Sequence, residues 1–155
     1  MREPVTAYIA LGANLGDAPA AVKAALQALD ALPQTRVLAR SSLYRTAPVD
    51  AQGPDFINAV AAVATRLTAQ ALLQSLQQLE LSAGRERPSR NAPRTLDLDL
   101  LLFGAAHIDS PALTVPHPRM AQRAFVLVPL AEIAPGLVSA QQLAAVAGQR
   151  ITRDG

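Results

Sequence analysis

Residues 6–11 are apolar with a loose alternation, which predicts a strand, and they run into Gly12-Ala13-Asn14-Leu15-Gly16, which reads as a tight turn. Asp17 and Pro19 then open a helix whose Val22, Leu26, Leu29 and Leu32 keep near-helical spacing until Pro33 ends it. Residues 35–45, with Val37, Leu38, Leu43 and Tyr44, predict a second strand. A turn-rich stretch over 46–55 follows, carrying Pro48, Gly53 and Pro54. Residues 56–65 predict a third strand, weakened by its alanines, that would pair with the second as a hairpin across the long loop. Thr68 suits the N-cap of a second helix in which Leu72, Leu76, Leu79 and Ala83 recur at i, i+4, i+7 and i+11, with Gly84 as its stop. Residues 85–93 are polar and Arg-rich, a loop, and 95–103 predict a further strand.

The order β-α-β-β-α-β suits an α+β fold, a ferredoxin-like sandwich with an antiparallel sheet and both helices on one face. Residues 106–155 add a C-terminal extension: a Pro-rich extended segment, an apolar segment at 124–130 and a short helix near 140–147. No repeat or interdomain linker interrupts the chain, so one domain over residues 1–155 is expected.

Composition narrows the classes. Half of the 155 residues are apolar, but 32 are Ala and only 3% are aromatic, so a packed core is feasible with few rings in it. The absence of Cys excludes a disulfide framework, a thiolate nucleophile and Cys-ligated metal, and it fits a reducing cytoplasm. The apolar runs at 100–106 and 124–131 fall short of the ~20 residues of a membrane helix, and the N-terminal apolar run is too short for a signal-peptide core. A cytoplasmic protein without a membrane partner is expected. The net charge of +2 is modest, yet the cations are 13 Arg and one Lys, and Arg85, Arg87, Arg90 and Arg94 fall within ten residues. Arg is the side chain suited to bidentate grip on phosphate.

The most informative stretch is Arg94-Thr95-Leu96-Asp97-Leu98-Asp99-Leu100-Leu101. On a strand, Asp97 and Asp99 share one side and Leu96, Leu98 and Leu100 the other. An antiparallel strand with one wet face would show the same alternation without any function. Arg94 and the Arg-rich loop before it tip the balance toward a metal-nucleotide site. Paired carboxylates repel unless a cation sits between them, and Mg²⁺ takes oxygen ligands while keeping phosphates and waters; two such ions can clamp a phosphoryl transfer. The loop at 85–93 then suits a lid that brings Arg onto the transferred phosphates, or it is simply a basic surface.

Other candidates are weaker alone. His117 stands between Pro116 and Pro118 with Arg123 nearby, in reach of phosphate or nucleotide sugar, although a surface turn explains it as well. Asn58 can offer a donor and an acceptor to the edge of a flat heterocycle, with backbone groups of 46–49 beside it and Phe56 and Phe125 as stacking rings; core packing is the ordinary fate of a Phe. Gln77 and Glu80 lie three apart on the second helix and are expected to share a face, exposed or at the lip of the same cleft.

These residues resemble a known family. Arg90-Asn91-Ala92-Pro93-Arg94-Thr95-Leu96-Asp97-Leu98-Asp99-Leu100-Leu101 is similar to the signature of the 6-hydroxymethyl-7,8-dihydropterin pyrophosphokinases (2-amino-4-hydroxy-6-hydroxymethyldihydropteridine diphosphokinases) of folate biosynthesis. Residues 8–16, Ser41-Ser42-Leu43-Tyr44-Arg45-Thr46, Phe56-Ile57-Asn58-Ala59 and Leu113-Thr114-Val115-Pro116-His117 match in family order. The resemblance implies transfer of the β,γ-diphosphate of ATP to the pterin hydroxymethyl oxygen with release of AMP. It places two Mg²⁺ on Asp97 and Asp99 and puts Arg85 and Arg94 on the transferred group. Gln77, Glu80, Arg87, Arg94, Leu100, Thr114, His117 and Arg123 fall around ATP, and Thr46, Ala47, Val49, Phe56, Asn58 and Phe125 around the pterin. Asn91 occupies the lid position at which some members carry Trp.

Two other classes fit parts of the pattern. An RNA-binding module on the same fold would stack bases on aromatics, and five aromatics with no basic-Gly-aromatic run argue against it, so no nucleic-acid partner is expected. A nucleotidyltransferase with an Asp-x-Asp metal pair would release pyrophosphate instead of AMP. Small-molecule substrates and a monomer are the expectation.

Overall fold

A computed structural model describes residues 3–47, 54–83 and 96–154. Strand β1 (Val5–Ala13) leads to helix α1 (Ala18–Asp30), β2 (Thr35–Arg40), β3 (Tyr44–Thr46) and β4 (Phe56–Thr65). Helix α2 (Ala69–Ser82) precedes β5 (Asp97–Phe103), the short hairpin β6 (Ile108–Asp109) and β7 (Thr114–Val115), helices α3 (Ala124–Ile133) and α4 (Ala140–Ala145), and β8 (Ile151–Arg153).

The main sheet runs β5-β1-β4-β3-β8, with β2 also on the β4 edge, and every pairing is antiparallel. The chain order of the neighbours is the ferredoxin-like one expected from the sequence. Asp17 Oδ1 accepts from Ala20 N–H at 3.1 Å and Thr68 Oγ1 from Ala71 N–H at 3.0 Å, so both expected caps form.

Two cores sandwich the sheet. On one face Val22, Leu26 and Leu29 of α1 and Leu72 and Leu76 of α2 pack on Ile9, Leu11, Ile57 and Val63, with Leu96, Leu98 and Leu100 alongside. On the other, Leu127 and Leu130 of α3 cover Ala10, Val60 and Leu101. β4 is thus buried on both faces. Its alanines, which weakened the strand prediction, are the small side chains that let helices approach a central strand from both sides.

Two expectations change, and two C-terminal segments gain an element. β1 continues through Gly12 and Ala13, which pair with Asn58 and Ile57, so the turn is confined to the residues after it, with Gly16 at φ 58°. The strand expected over 35–45 is two, because Ser41 breaks the ladder: its N–H donates to the Val60 carbonyl at 2.9 Å, its Oγ accepts from Val60 N–H at 3.0 Å, and the next N–H, of Ser42, turns away to Glu132. The apolar segment at 124–130 is the helix α3, with Pro129 inside it, and residues 151–153 form a strand that the sequence reading did not include.

Candidate functional site

The second face of the sheet carries a cleft of about 830 Å³, and strand register explains its shape. On β1, Ala10 and Gly12 lie opposite Asp99 and Asp97 of β5 on one side and opposite Val60 and Asn58 of β4 on the other. Two small residues in the middle strand leave an open floor between an acidic strand and a strand carrying an amide. Both carboxylates line the cleft, as their alternation with buried Leu98 and Leu100 predicted.

At the β4 side, buried Asn58 donates from Nδ2 to Thr46 Oγ1 at 2.7 Å, which fixes the amide in one orientation. A Cβ on residue 12 would stand 3.0 Å from Asn58 Oδ1, so glycine at 12 is what lets that oxygen sit there. Phe56, Phe125, Thr46 and Ala47 complete this end. Two of the chain's three Phe therefore line the cleft, half-exposed, instead of filling the core. The Arg123 guanidinium lies over the Phe125 ring, 5.3 Å from its centroid.

The outer edge of β5 is held by two other predicted residues. Glu80 is buried, not exposed, and its carboxylate accepts from Leu98 N–H at 2.8 Å. Gln77 is exposed, so the expected shared face does not form; three residues along a helix are enough to carry one side chain over β5 and leave the other in solvent. His117 N–H donates to the Leu101 carbonyl at 2.9 Å, placing the imidazole beside Asp99. Burial lowers the His117 pKa, Asp99 opposes this, and Arg123 and Arg119 add to it. Nδ1 accepts from Arg119 N–H at 3.2 Å, so the neutral ring carries its proton on Nε2 and offers it as a donor.

Of the other expected nucleotide residues, Arg123 lines the cleft, whereas the Leu100 side chain packs in the helix-side core and Thr114 sits on β7 opposite Asp109. Neither Leu100 nor Thr114 is on the cleft wall, and nor are Gln77, Glu80 and His117. Arg85, Arg87, Arg94, Asn91 and Val49 lie outside the described residues. The cleft also gains Arg119, Gln122, Gln149 and Arg150, which sequence reasoning did not select. Arg119 follows the Pro-His-Pro run closely enough to have been flagged; Gln149 and Arg150 had no such signal, because only the pairing of β8 with β3 carries them there.

The donor set suits Mg²⁺. Asp97 and Asp99 are hard oxygen donors on one wall, and among the described residues no third His, Cys, Asp or Glu joins them to close a protein cage. That leaves ligand positions for phosphate and water, as Mg²⁺ prefers.

The chain resembles known proteins over most of its length. The family model of 7,8-dihydro-6-hydroxymethylpterin-pyrophosphokinase (HPPK) matches residues 8–135. A Pseudomonas aeruginosa protein named 2-amino-4-hydroxy-6-hydroxymethyldihydropteridine pyrophosphokinase is 51% identical over 131 residues, 84% of this chain and 81% of its own length. A Haemophilus influenzae protein of the same name is 47% identical over 135 residues, 86% of this chain and 84% of its own. Among solved structures, an HPPK-DHPS in complex with substrates superposes with a TM-score of 0.65 at 12% identity, covering 86% of this chain and 40% of that one. Plasmodium falciparum HPPK-DHPS with pterin and p-hydrobenzoate gives 0.61 at 13% identity, covering 85% and 41%. This chain spans about two-fifths of those solved chains, and at such identities the likeness is one of fold. With the family model spanning most of the chain and relatives near half identical, the chain belongs to the 7,8-dihydro-6-hydroxymethylpterin-pyrophosphokinase family.

Proposed function

We propose that this protein transfers the β,γ-diphosphate of ATP to the hydroxymethyl oxygen of 6-hydroxymethyl-7,8-dihydropterin, releasing AMP, in folate biosynthesis. One observation carries the reading: a carboxylate pair and an oriented amide flanked by two Phe rings face each other across one cleft, with Ala10 and Gly12 as its floor. A metal-phosphate wall and a heterocycle wall in one cleft suit a reaction that joins the two.

Asn58 presents its Oδ1 to the amino edge of the pterin while Thr46 holds the amide from behind, and Phe56 and Phe125 stack on the ring, with Ala47 closing the edge and Val49 assigned to the pterin on the family resemblance alone. Asp97 and Asp99 would hold the two Mg²⁺ ions expected for such a transfer, which would supply positive charge against the triphosphate. The pterin hydroxyl oxygen attacks the β-phosphorus, the bond from that phosphorus to the α–β bridging oxygen breaks, and AMP leaves with that oxygen while the hydroxyl proton passes to solvent. Such a reaction asks for positioning and charge stabilisation more than for a dedicated base. Arg123 lies on the cleft wall where developing phosphate charge needs a cation; Arg85 and Arg94 take the same task on the strength of the family resemblance, and Arg87 a further phosphate contact. Glu80 and His117 hold the outer edge of β5, which we assign to the nucleotide with Gln77, Leu100 and Thr114 on the family resemblance, and the His117 Nε2–H is a donor for a phosphate or ribose oxygen. We further propose one domain over residues 1–155, acting as a cytoplasmic monomer on small molecules without nucleic acid.

Incubation with ATP, Mg²⁺ and the hydroxymethyl-dihydropterin tests this. AMP is expected in one-to-one step with pterin diphosphate; ADP or free pyrophosphate as the accompanying product, or ATP loss that ignores the pterin, overturns it.

A further inference from the structure

Helix α3 begins without a cap of its own. Arg123 occupies the N-cap position at φ −127°, ψ 117°, and makes no side-chain hydrogen bond to the helix. The first-turn N–H groups of a helix have no partner within it, and the usual solution is a Ser, Thr, Asp or Asn at that position. Here the solution comes from 25 residues downstream. Gln149 Oε1 accepts from Ala124 N–H at 2.9 Å, and its Nε2 donates to the Gln122 carbonyl at 2.8 Å. One primary amide thus grips both sides of Arg123, and donor and acceptor are each matched, so its orientation is fixed.

Arg123 and Phe125 flank the clamped peptide, both line the cleft, and the guanidinium lies over the ring. Gln149 itself stands on the cleft wall just before β8, whose Ile151 pairs with Thr46. It also lies beyond residues 8–135, the stretch that matches the family model.

We propose that Gln149 is a positioning residue for the pterin end of the cleft: its amide sets the turn into α3, and so the stance of Phe125 toward the pterin, with Arg123 lying over the Phe125 ring. The inference rests on the function proposed above. Its consequence is that the C-terminal segment, which contributes nothing to the matched motifs, tunes substrate affinity.

The test uses Gln149→Ala and Gln149→Glu in the full-length protein. Glu keeps the acceptor for Ala124 N–H but sets a second acceptor oxygen against the Gln122 carbonyl, so it keeps one bond and breaks the other. A loosened clamp predicts a KM for the pterin raised roughly five- to tenfold in Gln149→Ala, the scale of one disturbed hydrogen bond at the site, and a rise in Gln149→Glu as well. Both variants should keep the wild-type Tm within a few degrees. A residue with only a structural role would lower Tm and leave the KM of the folded enzyme unchanged. A pterin KM within twofold of wild type in Gln149→Ala, or in Gln149→Glu, overturns the proposal. Amide hydrogen exchange followed by NMR gives a readout independent of activity. Exchange at Ala124 should accelerate in Gln149→Ala while Asp154 N–H, bonded to the Leu43 carbonyl at 2.7 Å, stays protected; unchanged exchange at Ala124, or loss of protection at both, also overturns it. If the wild type itself turns over no pterin, the functional reading fails while the exchange experiment still decides the clamp.

Discussion

Gly12 sits between the two working ends of the cleft, opposite Asp97 on one neighbouring strand and Asn58 on the other. Its lack of a side chain is what allows Asn58 Oδ1 to lie where a Cβ would come within 3.0 Å. Asn58 is buried and tied to Thr46, so it has little freedom to yield. Gly12→Ala should therefore weaken pterin binding about tenfold or more, roughly the cost of disturbing one buried polar contact, and titration of pterin fluorescence would show it; unchanged affinity would mean that Asn58 does not contact the ring. At the other end, Asp97→Asn and Asp99→Asn each keep the size of the side chain and remove its charge. Turnover at ordinary Mg²⁺ is expected to fall at least a hundredfold in each, with Tm within a few degrees of wild type. Near-normal turnover in both would remove the metal from these residues.

At the scale of elements, the join between α3 and the β2–β3 break is made by one carboxylate. Glu132 accepts from Ser42 N–H at 3.0 and 3.1 Å, from Ser42 Oγ at 2.9 Å and from Tyr44 Oη at 2.6 Å, and Arg153 of β8 stands 3.9 Å away. Burial alone would raise its pKa, but the hydrogen bonds from Tyr44 and Ser42, with the charge of Arg153, hold it below the ordinary 4.5. Burial and the neighbouring Glu132 push the Tyr44 hydroxyl up, so it stays a donor near neutral pH. A carboxyl whose pKa is lower folded than unfolded adds stability that is complete above its unfolded value and is lost as pH falls through the folded one. Tm should thus decline below about pH 4.5, and Glu132→Gln should lower Tm at pH 7 while flattening that decline. Wild-type and variant curves that run parallel from pH 7 to 3 would show that the carboxylate is not the source. Glu132 drew no notice in the sequence and Ser42 did so only within a matched run, because their pairing exists only once the fold brings together positions 90 residues apart.

For the whole molecule, the parts legible in the sequence were those written in local periodicity. The spacing of Val22, Leu26 and Leu29, and of Leu72 and Leu76, gave the helices and the core face they share. The alternation of Asp97 and Asp99 with Leu98 and Leu100 gave the acidic wall. The ferredoxin-like topology followed from the order of those elements, but strand register and the return of the C-terminal segment were not legible. Nothing local reveals that Ala10 and Gly12 form the cleft floor, that Glu80 turns inward to hold β5, or that residues 149–153 return to the sheet edge beside Thr46. Local rules even misled at residues 35–45, where a serine hydroxyl competes with the backbone ladder, and they assigned no element at 124–130, where a helix carries an internal proline.

That architecture sets two walls of opposite chemistry across one sheet, and the central claim is that a two-phosphate unit passes between them. The fate of phosphorus labelled at the β-position of ATP tests it most directly. The label is expected to leave the nucleotide and appear in the pterin product, with unlabelled AMP remaining. Label retained in ADP, or recovered in free pyrophosphate, would contradict it.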